Sequence, residues 1–187
     1  MKPSPNSSLI RRADAGLLIV DVQERLLPAM HGSDCVLRNV VRLACGAEIL
    51  QIPVLVTEQY PKGIGRTLPD VARAVPGFAP LEKLSFSCCR APGFPSALTA
   101  RKVTDVVLCG IEAHVCVLQT ALDLLGQGFR VFVVADACSS RAVENYRLGL
   151  ERMRDCGAVV VSTEMILFEL LERAGTGEFK RILDLVK

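Results

Sequence analysis

The chain carries no block of like charge. Its 22 Lys and Arg stand against 20 Asp and Glu, a formal net charge of +2 over 187 residues, so a basic face for nucleic acid is not suggested. It has no apolar stretch long enough to span a bilayer, because the richest regions are cut by Asp105, Glu112, Asp123 or Arg130. The start from Met1 to Arg12 is polar, holds Pro3 and Pro5, and lacks the apolar run of a signal peptide. It reads as a short flexible arm over 1–14 on a cytoplasmic protein. There is no CxxC pair among the eight cysteines and there are only two histidines, His31 and His114. A zinc site of Cys and His is poorly supported, and a disulfide framework is not expected without an export signal. Most cysteines are therefore expected as small buried apolar residues, with Cys88 and Cys89 free. Repeats, low-complexity tracts and dividing linkers are also missing, which leaves 15–187 as one domain.

What the chain does have is apolar content. Half of its residues are hydrophobic, with a mean hydropathy of +0.35, too apolar for disorder and enough for a sizeable core. Five short β-branched runs stand out: Gly16–Asp21, Pro53–Thr57, Thr104–Cys109, Arg130–Ala135 and Gly157–Ser162, with an alternating sixth at Pro80–Leu84. Near-continuous apolar runs of this length suit strands buried on both faces. Between them, Val36, Val40, Leu43, Ala44, Ala47 and Leu50 mark one helix face. Val143, Tyr146, Leu150 and Met153 mark another, with Ser139 or Ser140 as its N-cap. Strands alternating with helices predict right-handed crossovers and a three-layer α/β/α domain. Its sheet is doubly wound, mostly parallel and six-stranded, in the Rossmann-like manner. The segment Ala113–Gly126 is apolar on nearly all sides, which predicts burial on more than one side and a homo-oligomer contact there.

Ligands in such sheets bind beyond the carboxyl ends of the strands. That rule gathers Asp21, Thr57–Tyr60, Lys83, Gly110–Cys116 and Asp136 on one rim. Cys116 lies where the fourth strand turns into a helix, among amides and dipole that lower a thiol pKa and hold an oxyanion. Taken singly it reads rather as a core residue beside Val115, Val117 and Leu118. Asp21 is either a general base for that thiol or a cap for the following helix. Lys83 either steadies Asp21 and polarises a substrate or is a solvated strand-end lysine. His114 is expected to face solvent or a subunit contact, and Gly63-Ile-Gly65 is a flexible loop, lacking the third glycine of a phosphate-binding motif.

The motifs Leu17-Leu-Ile-Val-Asp21-Val-Gln23, Glu82-Lys83 with Ser85-Phe86-Ser87, and Cys109-Gly-Ile-Glu-Ala-His-Val-Cys116-Val together resemble the isochorismatase-like cysteine hydrolases. Thr57–Gly65, Gly110-Ile-Glu112 and Asp136–Arg141 are similar to its isochorismatase domain-containing protein 2 subgroup. The resemblance implies an Asp–Lys–Cys triad at Asp21, Lys83 and Cys116 acting on a small amide-like substrate through an acyl-enzyme. It further implies a cis peptide at Ile111–Glu112 and an oxyanion hole from the Glu112 and Cys116 amides. Gln23, Leu26, Gln59, Tyr60, Phe86 and Ile111 are the expected substrate-binding residues. Where nicotinamidases of this superfamily carry Asp-x-His for a metal, this chain reads Glu58-Gln59-Tyr60, so no metal and no cofactor are expected. A thiol redox protein using Cys116 and a catalytically silent binding protein are the competing readings.

Overall fold

The structure, a computed structural model, describes residues 9–187. Six strands form a single sheet: β1 (Ala15–Val20), β2 (Val54–Gln59), β3 (Leu81–Lys83), β4 (Asp105–Ile111), β5 (Arg130–Ser139) and β6 (Val159–Val161). Their order is β3-β2-β1-β4-β5-β6 and every pairing is parallel. The apolar runs account for the strands directly. Every residue of β1 and β4 is buried, as strands covered on both faces require.

Helices cover both sides. On one, α1 (Ser33–Ile49) packs against α7 (Thr163–Leu171) and α8 (Gly177–Val186); on the other, α5 (Leu118–Gly126) packs against α6 (Val143–Asp155). Three shorter helices, α2 (Pro61–Ile64), α3 (Pro69–Ala74) and α4 (Phe94–Ala100), lie between β2 and β4 in the chain. Neither α7 nor α8 was anticipated. The first is apolar almost throughout and shows no clear periodic face, yet it is capped by Ser162 Oγ, which accepts from Met165 N at 3.2 Å. The order reverses between β1 and β4, so residues leaving these two strands meet at the topological switch point.

Several expectations need correcting. The arm over 1–14 lies in part outside the described residues, and from Ile10 onward the chain is docked. Ile10 is buried, and Arg12 donates from Nε to Leu50 O (2.6 Å) and pairs with Glu178 (3.0 Å). The fifth strand does not end at Asp136. Leu108 faces Val133, but Gly110 faces Cys138 where an even ladder would have reached Ala135, so the strand bulges and resumes. The bulge brings Asp136 to the start of α7, just beyond the carboxyl end of β6, where Oδ1 accepts from Thr163 N (2.7 Å) and Oγ1 (2.9 Å). The longer strand also shifts α6, whose cap position is Ala142. Ser139 instead donates to His31 O, and Ser140 bonds His114 Nδ1 at 2.9 Å, so His114 is tied inward.

Ala113–Gly126 is not one helix. It opens as a wide turn over Ala113–Val117, with Val117 N bonded to Glu112 O, before α5 begins. Within the chain Leu118, Ala121 and Leu124 are buried, with α6 and the turn Cys88–Arg90 packed against the helix, while Val115, Leu122 and Leu125 are only half-buried.

Candidate active site

Asp21 is the first residue beyond β1. Its backbone is in the left-handed region, with φ 54°, and its amide bonds Thr57 O at 3.2 Å. The carboxylate is fully buried but has two donors: Thr57 Oγ1 to Oδ1 at 2.7 Å and Lys83 Nζ to Oδ2 at 2.7 Å. It is therefore no helix cap. A buried carboxylate held this way is a compensated charge, which is the condition for keeping one in a protein interior.

Lys83 ends β3, the edge strand, and turns inward. Nζ donates to Asp21, to Gln59 Oε1 (2.7 Å), to Phe86 O (3.0 Å) and to Ser85 O (3.3 Å). Burial pulls its pKa down, but the negative charge of Asp21, with lesser help from the Cys88 and Cys116 thiols, leaves it raised. The lysine is a locked ammonium rather than a solvated strand end.

Cys116 sits in the wide turn after β4, 5% exposed, and its thiol hydrogen-bonds Asp21. Its pKa was expected to be lowered by the helix start. The opposite holds: burial first, then the Asp21 charge, push it up to about 12, with Lys83 only partly offsetting them. A carboxylate in contact with a desolvated thiol outweighs the dipole of a short turn. The resting pair is thus a carboxylate and a neutral thiol.

Gly110 sets the approach to this turn. Its φ is 118°, and a Cβ there would lie 2.1 Å from Val20 O, so the β4 backbone presses against β1 just before the two strands release Asp21 and Cys116. On the other side, Gly149 lets α6 come close to Ala113 and His114. The Ile111–Glu112 peptide is cis. Glu112 is buried and Oε2 accepts from Arg141 N (3.2 Å) and Nε (3.1 Å).

The expected substrate-binding residues divide into two groups. Gln23 is fully buried and fully used, with Nε2 donating to Gln59 O (3.0 Å) and Gly65 O (2.7 Å) and Oε1 accepting from Gln59 N (2.8 Å). Gln59 is held by Lys83 and by Leu84 O (2.9 Å). Gln23 is framework, with both amide protons committed, whereas Gln59 carries a second amide proton that these bonds do not use. Ile111 is buried within β4. Leu26 is half-buried; Tyr60, whose amide bonds Lys83 O at 2.9 Å, and Phe86, three residues after Lys83, are exposed. Thr57 and Cys88 had been given no role. Thr57 pairs in the sheet with Val20, one residue before Asp21, a register that no sequence pattern displays. Cys88 is buried, its sulfur 3.7 Å from Thr57 Oγ1, and its thiol is pushed up to about 11, chiefly by burial.

Glu58 is engaged by Thr67 N (2.7 Å), Thr67 Oγ1 (2.8 Å) and Arg66 (2.9 Å). Among the described residues, no group of three or more His, Cys, Asp and Glu is arranged to hold a metal ion. No helix among them is long and apolar enough to cross a membrane.

Comparison with known proteins places this arrangement. The chain belongs to the isochorismatase family: residues 15–165 match the isochorismatase domain. Isochorismatase domain-containing protein 2A of Mus musculus is 37% identical over 172 residues, covering 91% of this chain and 82% of the mouse protein. The structure of the MAR1 ribonuclease from Caenorhabditis elegans is similar with a TM-score of 0.89 and 37% identity, over 96% of this chain and 92% of that one. YcaC from Pseudomonas aeruginosa, solved with hexane-2,5-diol and covalent acrylamide, gives a TM-score of 0.90 at 25% identity, over 97% and 93%.

Proposed function

We propose that this member of the isochorismatase family is a hydrolase in which Cys116 attacks a small amide-like substrate and forms an acyl-enzyme. The observation that carries this reading is the buried Asp21 carboxylate, held by Thr57 and Lys83 and bonded to the Cys116 thiol. A carboxylate in contact with an S–H is placed to take its proton as the sulfur attacks.

In this mechanism Sγ bonds to the carbonyl carbon while the thiol proton passes to Asp21. The carbonyl electron pair moves to oxygen, which the amides of Glu112 and Cys116 receive. Collapse breaks the C–N bond, and Asp21 returns the proton to the leaving amine. Water then attacks the thioester, giving its proton to Asp21, and the acid leaves as Cys116 is reprotonated. Lys83 is a positioning residue: it keeps Asp21 charged and aimed. With a thiol pKa near 12, no thiolate accumulates at rest, and proton transfer accompanies attack. For the same reason a peroxide-sensing role fits less well, because sulfenic acid formation follows thiolate character.

The test is ammonia or acid release from a panel of small amides, with and without chelator, beside Cys116→Ala. An RNA oligonucleotide belongs in the panel because the C. elegans relative is called a ribonuclease. Acrylamide should label Cys116, as a covalent acrylamide is found in the P. aeruginosa relative. Turnover surviving in Cys116→Ala overturns the nucleophile, and chelator-sensitive turnover overturns the metal-independent mechanism.

A further inference from the structure

An ammonium has three donors, and the cage around Lys83 supplies more acceptors than that. The Asp21 carboxylate and the Gln59 amide oxygen lie at 2.7 Å, and the Phe86 and Ser85 carbonyls at 3.0 and 3.3 Å. The Lys83 side chain has no solvent exposure. No proton of this cation is left for a substrate, contrary to the polarising role expected for it. Gln59 cannot turn over to release the lysine, because Nε2 is held by Leu84 O and its backbone is clamped on both sides by Gln23.

The charges that dominate at the Cys116 sulfur are those of Asp21 and Lys83, and Lys83 only partly offsets the carboxylate. Lys62 and Arg90 stand further out, exposed on a surface cavity of about 530 Å³ beside Lys83, Leu84 and Ser85, with Arg90 already paired to Asp123. An anionic group carried to Cys116 would meet one carboxylate and a cation with no free donor. Burying a charge without a partner is strongly unfavourable.

We infer that the Cys116 site takes an electrophile with no negative charge near the reacting carbon, because the closed cage leaves Lys83 no donor to offer one. The inference rests on the reading of Cys116 as the nucleophile and names the substrate class that reading left open.

Iodoacetamide and iodoacetate test it, since they offer the same reacting methylene and differ in charge. With either reagent Sγ bonds to the methylene carbon, the C–I electron pair leaves with iodide, and the thiol proton passes to Asp21. Rate constants at Cys116 are read by mass spectrometry of its peptide, in the native chain and in the urea-unfolded chain. The native preference for iodoacetamide should exceed the unfolded preference by about a hundredfold. Equal preferences overturn the inference. The underlying nucleophile reading fails separately, if Asp21→Asn leaves the iodoacetamide rate at Cys116 unchanged.

Discussion

Lys83 Nζ lies 2.7 Å from Asp21 Oδ2, with both side chains closed to solvent, although the two residues are 62 positions apart. Each charge is tolerable because the other is there. Lys83→Met should therefore destabilise the fold by about 3–5 kcal/mol, the usual cost of stranding a buried partner, and should leave Cys116 without a positioned base. Urea denaturation measures the first effect. Loss of acrylamide labelling at Cys116 measures the second. A stability change within about 0.5 kcal/mol would show the pair to be dispensable.

Thr57 supplies the other donor to Asp21, at 2.7 Å. Thr57→Val keeps the shape and removes that donor, so the variant should lose about 1–2 kcal/mol. Urea denaturation reads that loss, and Thr57→Ser should restore the stability; failure of that rescue would assign the loss to packing.

The buried thiols make stability sensitive to alkali. Burial leads the causes that push Cys116 and Cys138 up to about 12 and Cys88 up to about 11, and it pushes Cys109 well up too. Their unfolded counterparts titrate near the ordinary thiol value of 9.0. Between these values the native state holds more protons than the unfolded state, so stability is full below about pH 9 and falls as pH rises toward 11–12. Each such thiol contributes a slope of up to about 1.4 kcal/mol per pH unit. The midpoint of urea unfolding should drop steadily from pH 9 to 11, and Cys138→Ala should flatten the curve. A pH-independent midpoint over that range would contradict the burial assigned to these thiols.

Gly110 has no room for a side chain. A Cβ would lie 2.1 Å from Val20 O, at a φ of 118° that other residues rarely adopt. Gly110→Ala should cost more than about 3 kcal/mol or prevent folding. Gly149→Ala meets its nearest atom at 3.1 Å and should be milder. Thermal melts of the two variants give the ranking, which a milder Gly110→Ala would reverse.

Much of the architecture was visible as pattern. β1, β2 and β4 to β6 appear as β-branched runs because strands buried on both faces have nowhere to put polar residues, and α1 shows its buried stripe at helical spacing. The short strand β3 showed only an alternation, since an edge strand keeps Glu82 exposed while burying Lys83. Other features were hidden. The β5 bulge that sends Asp136 to α7 depends on pairing with β4. The glutamines read as ligand contacts because an exposed and an engaged amide look alike in sequence; only the partners of Gln23 and Gln59 separate them.

The order of apolar runs, helical stripes and strand-end polar residues was enough to specify a doubly wound α/β domain and to nominate Asp21, Lys83 and Cys116, because burial and periodicity are written locally along the chain. The protonation of the thiol, the saturation of the lysine and the structural use of the glutamines were decided only by tertiary structure. Those properties arise from desolvation and from hydrogen bonds between residues distant in sequence, and both exist only once the strands have been brought side by side.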